Sequence, residues 1–194
     1  MKTSFKRFAG YYAFLAGVAG FLYSLAFIVL KSDLLSALFL LLGGLLATAP
    51  LLALYEQLRE SEPPFALWGL LLALAGALGS LVHAGFDLAN AIHAPASLNA
   101  DLPSAVDPRG LATFGLAGIG LFVFSWLIVR SGKFPRNLGW LGYLSAALMV
   151  ILYLGRLIVL QATSLVIVIP ALLEGFIVNP VWYIWLGVSL LRKK

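Results

Sequence analysis

Six long apolar stretches, at about 9–30, 34–55, 65–90, 110–129, 138–160 and 166–191, occupy most of the 194 residues. About 20 apolar residues in a helix cross the roughly 30 Å hydrocarbon layer of a bilayer, where isolated charges are strongly disfavoured. The pattern predicts an all-α, polytopic membrane protein: one domain over 1–194, six transmembrane helices in a single bundle. Composition agrees, with 62% hydrophobic and 11% charged residues against about 25% charged in soluble domains. A water-soluble fold of this size could not hide so much apolar surface. The net charge of +5 comes with no basic patch interleaved with aromatics, so the expected partner is the lipid bilayer and not nucleic acid. With no cysteine in the chain, disulfides, thiolate metal sites and thiol catalysis are excluded.

The basic residues set the expected topology. With the N-terminus inside, the inner segments hold Lys2, Lys6, Arg7, Arg59, Arg130, Lys133, Arg136, Arg192, Lys193 and Lys194, and the outer ones hold Lys31 and Arg109. Inner loops of spanning proteins are rich in Lys and Arg, so both termini are expected in the cytoplasm, which an even number of spans requires. The apolar run from Phe8 to Leu30 exceeds the 7–15 residues of a signal h-region, so it reads as an uncleaved first span.

Most connections are short. Lys31-Ser32-Asp33 turns the first hairpin, Glu62-Pro63-Pro64 closes one helix and opens the next, and Gly132 and Pro135 shape the turn between spans four and five. The exception is the outer segment from about His93 to Arg109, with Pro95, Pro103 and Pro108. Its length exceeds that of an ordinary connector, and such loops are often lids or binding elements. Spans one and four share a faint likeness, Ala16–Leu22 against Ala117–Val123. Their internal spacing differs, so a true inverted repeat is not expected.

Small residues mark expected helix contacts: Gly17 and Gly20, Gly43 and Gly44, Gly76 and Gly79, Gly115, Gly118 and Gly120. The five tryptophans, Trp68, Trp126, Trp140, Trp182 and Trp185, fall mostly near the inner span ends and read as an aromatic belt.

Charged groups inside spans normally face the bundle interior or a wet cavity. Here they are His83, Asp87, Arg156 and Glu174, with Asn90 and His93 at a rim. His83, Asp87 and Asn90 follow an i, i+4, i+7 spacing, which puts them within about 40° on one helix face. A rise of about 1.5 Å per residue puts His83 and Asp87 roughly 27 and 33 Å along span three, Arg156 about 6 Å and Glu174 about 10 Å below the outer face. The shared depth points to one cluster of ligand-binding residues, His83, Asp87, Asn90, Arg156 and Glu174. It can be an internal ion pair of Arg156 with Glu174 or Asp87. It can be an outward-open pocket in which Arg156 holds an anionic or carbonyl group. It can be a metal-dependent hydrolase centre with His83, Asp87 and Glu174 as ligands. In span six, Pro170 and Pro180 each free a backbone carbonyl, and those near Glu174 and Phe176 are candidate ligands for a cation.

The turn Arg130-Ser131-Gly132-Lys133-Phe134-Pro135-Arg136-Asn137-Leu138-Gly139-Trp140-Leu141-Gly142 and the closing segments Pro170-Ala171-Leu172-Leu173-Glu174 and Trp185-Leu186-Gly187 carry a resemblance. On them the chain resembles a family of small bacterial six-span membrane proteins that bears only a domain-of-unknown-function label. The resemblance implies six spans and no particular activity or cofactor, and the expected location is the plasma (inner) membrane. The expected function is that of a small integral membrane accessory or ligand-binding protein, acting as a subunit of a membrane complex or as a binder of a lipid-like molecule. A small-solute or ion transporter and a membrane-embedded metal-dependent hydrolase are the alternatives.

Overall fold

The computed structural model describes residues 3–93, 110–159, 161 and 163–192. Six helices are long and apolar enough to span a membrane: α1 (Ser4–Leu30), α2 (Asp33–Leu58), α3 (Pro63–Ile92), α4 (Leu111–Ser131), α5 (Arg136–Ile158) and α6 (Leu165–Leu191). They match the six expected spans, and the described residues contain no strand. The segment 94–109, which includes most of the long connection expected on the outer side, lies outside the described residues.

Local chemistry explains the helix ends. The prolines at Pro63 and Pro64 occupy the first turn of α3, where a missing N–H removes no helical hydrogen bond. Lys31 takes the left-handed conformation at φ 49°, and the Ser32 hydroxyl then accepts a hydrogen bond from Leu35 N–H at 3.4 Å. That caps α2, with Asp33 in its first turn facing the positive helix end. Gly132, at φ 65°, ends α4, a conformation glycine adopts without a Cβ penalty.

Each helix packs against its neighbours in sequence, and α6 returns against α1, closing a ring. Small residues bring the backbones together. A Cβ on Gly120 would lie 2.5 Å from Ala73 N, one on Gly44 2.9 Å from Ala77 O, and one on Gly17 2.8 Å from Pro180 O. In lipid, where no hydrophobic force drives helix association, such close van der Waals approach is a principal source of affinity between helices.

The bundle is not packed evenly along its axis. Among the described residues, the largest fully buried side chains include Leu54, Leu58, Phe124, Leu138, Trp182 and Leu190. These belong to the end at which α1 begins and α6 finishes, where Gly10 meets Leu191. Lys133 in one turn is ion-paired with Glu60 in another, which puts the α2–α3 and α4–α5 turns at this end too. Lys133, through its hydrogen bond and then its charge, lowers the Glu60 pKa from the ordinary carboxylate value. The buried hydrophobic cluster reaches mid-depth and stops short of Ile167, Ala26 and Ala84 near the other end.

Trp182 departs from the aromatic-belt expectation. It is only 1% exposed and belongs to the core, whereas Trp68 and Trp140 are 49% and 54% exposed. The physical reason is Gly142 on α5: a Cβ there would meet Trp182 Nε1 at 2.8 Å. The absent side chain admits the indole to the bundle interior.

Candidate functional site

The α3 stripe exists as a face. His83, Asp87 and Asn90 are half-buried, while Gly85, Phe86 and Ala89 between them are exposed. The i, i+4 spacing brings His83 Nε2 to 3.3 Å from Asp87 Oδ2. The other ring nitrogen, Nδ1, lies 3.4 Å from the Thr113 hydroxyl of α4. Thr113 is buried at 5% exposure. This geometry suits an imidazole that donates from Nε2 to the carboxylate and accepts from the threonine at Nδ1. It fixes the ring between two helices, at the end of the bundle remote from the start of α1 and the finish of α6. Asn90 Nδ2, further along the stripe, is buried with no hydrogen-bond partner. Arg156 is half-buried near the same end, in the last turn of α5.

Glu174 sits elsewhere. It is buried, at 5% exposure, in a widened stretch of α6 with π-helical hydrogen bonding, Glu174–Val178. The cause lies just beyond: Pro180 offers no N–H and its ring crowds the carbonyl one turn earlier. Widening the helix relieves that conflict, and the Asn179 N–H bonds Glu174 O across five residues. The carbonyl of Glu174 is thus taken up by the helix itself, which removes it from the expected set of free cation ligands. The side chain accepts a hydrogen bond from Ser145 Oγ of α5 at 2.5 Å through Oε1. Asn179 also hydrogen-bonds it. Its second oxygen, Oε2, is buried without a partner.

Of the five expected site residues, the structure joins His83 to Asp87 and adds Thr113. The hydrogen-bonding neighbours of Glu174 are Ser145 and Asn179, not Arg156 or Asp87. Asp87 and Glu174 are on helices that do not pack together, since α3 packs on α2 and α4 and α6 packs on α5 and α1. Arg156 is on an adjacent helix but at another level: Ser145, which meets Glu174, precedes it by eleven residues of α5, roughly 16 Å along the axis. The metal ligand set His83, Asp87 and Glu174 does not assemble: among the described residues no group of three His, Asp or Glu side chains could hold a metal. Thr113, Ser145 and Asn179 were missed because attention to ionisable groups passes over neutral ones. An uncharged hydroxyl or amide within an apolar span is the signal that would have found them.

The chain matches no known family model, no curated protein and no solved structure.

Proposed function

We propose that this is a small integral membrane accessory or ligand-binding protein of a bacterial inner membrane. In this reading both termini are cytoplasmic and a polar pocket opens at the outer face. The resemblance to the uncharacterised six-span family is consistent with that reading, and the ten-to-two bias of basic residues supports the orientation. The observation that carries it is the joined pair His83–Asp87, backed by Thr113 and continued by Asn90, at the end of the bundle where the dry core stops. Ligand sites of this kind combine apolar walls with a few convergent polar groups. Arg156 supplies a positive charge near the same end, suited to an anionic or carbonyl group on a lipid-like ligand or on a partner subunit.

Purification in a mild detergent, followed by native mass spectrometry, tests the reading. The wild-type protein is expected to carry a bound molecule or partner that Asp87→Asn and His83→Ala lose while remaining folded. Solute flux in proteoliposomes that disappears with Asp87→Asn would instead identify a transporter. Equal retention of the bound species by both variants would move the site away from α3.

A further inference from the structure

We propose that Glu174 is a proton-binding site inside the bundle, a carboxyl that takes up and releases a proton at Oε2 while Ser145 holds Oε1. This goes beyond the outer pocket and does not depend on it. Three observations meet at this residue. Glu174 is 5% exposed, and Oε2 is buried without a hydrogen-bond partner. The other oxygen is held by a hydroxyl from a different helix. The residue opens the π-helical stretch Glu174–Val178, between Pro170 and Pro180, and such stretches mark functional sites in helices disproportionately.

The identity of the ligand follows from size and charge. Oε2 has essentially no solvent-accessible area, so the occupant that fits without rearrangement is a proton. Burying an unpaired charged oxygen costs far more than burying an unpaired neutral hydroxyl. Among the described residues, the groups that face Glu174 and the adjoining Gly175 are neutral. On α1, Ser24 lies against Gly175, within 2.2 Å of where a Cβ would stand, and its hydroxyl is spent on Gly20 O at 3.2 Å. On α5 the facing group is Ser145, and on α6 it is Asn179. Tyr183, on the same helix, is close enough for its negative form and that of Glu174 to repel. Ionised Glu174 therefore needs a partner for Oε2 that this arrangement does not provide. Loss of the proton thus calls for a rearrangement around Oε2, beside the widened stretch Glu174–Val178.

Dicyclohexylcarbodiimide, an apolar reagent that modifies protonated carboxyl groups, provides the test on the intact protein in detergent micelles. Peptide mapping is expected to place an adduct on Glu174. Its rate should fall as the buffer is made alkaline, by about tenfold per pH unit once the carboxyl ionises. Glu174→Gln should lose that adduct, and Ser145→Ala should keep it at an altered rate. The wild-type measurement stands even if either variant fails to fold. No adduct on Glu174 across the whole stable pH range would overturn the proposal. Labelling that sodium or lithium ions suppress at constant pH would also overturn it, because the site would then hold a metal cation.

Discussion

Trp182→Ala is expected to be the most damaging single truncation in the bundle, lowering stability by about 3–5 kcal/mol, the range for removing a large buried aromatic. Trp182 is the largest of the fully buried side chains. Its ring stands edge-on to Tyr183, with centroids 4.9 Å apart, and it fills the space that Gly142 and Ser125 leave open. Its indole Nε1 has no hydrogen-bond partner, so packing, not polarity, is what the residue contributes. Trp182→Phe should therefore recover much of the loss despite lacking the N–H. Trp140→Ala, at a ring 54% exposed, should change stability little. Thermal unfolding of the three variants in one detergent checks this. Equal losses for Trp182→Ala and Trp140→Ala would show that Trp182 faces lipid.

Gly76→Ala carries the second large effect. An added Cβ would stand 2.4 Å from Ala117 Cβ, 2.7 Å from its Cα and 2.9 Å from its N. Two of those atoms are backbone, so no rotamer change relieves the overlap and α3 must move away from α4. Overpacking typically costs about 1–3 kcal/mol, and here the result should lie toward the upper end. The same substitution at Gly85, in the same helix, meets nothing within 4 Å and should cost nothing. Because His83 is held against Thr113 across the α3–α4 contact, Gly76→Ala should also loosen that pairing. A pair of melting curves decides the matter: similar losses at Gly76 and Gly85 would reduce the effect to helix propensity alone.

The architecture was legible because the bilayer imposes it. Runs of about 20 apolar residues have few alternatives to spanning helices, and the small residues at Gly76, Gly120 and Gly17 did mark the close helix contacts. The local part of the site was legible for the same geometric reason, since i, i+4 spacing alone brings His83 to Asp87. What sequence could not supply was which helices lie side by side. Depth counted from an assumed span end shifts with that end, and azimuth around the ring cannot be counted at all: Ser145, the partner of Glu174, lies about three turns of α5 from Arg156. Glu174 thus looked like a partner for Arg156 and instead meets Ser145 and Asn179. The aromatic belt failed at Trp182 on the same grounds. Proximity to a span end says nothing about which way a side chain faces, and the gap at Gly142 is a property of a neighbouring helix.

The claim at the centre of this account is a polar site open to the outer face above a dry core. Cysteine accessibility tests it most directly, since the native chain contains no cysteine. Asp87→Cys and Ser125→Cys are compared in right-side-out and inside-out vesicles with a membrane-impermeant thiol reagent. The Asp87 side chain is 35% exposed, and Ser125 is fully buried. The account predicts modification of Asp87→Cys from the outer face alone and of Ser125→Cys from neither. Modification of Asp87→Cys only from the cytoplasmic face, or ready modification of Ser125→Cys, would contradict it.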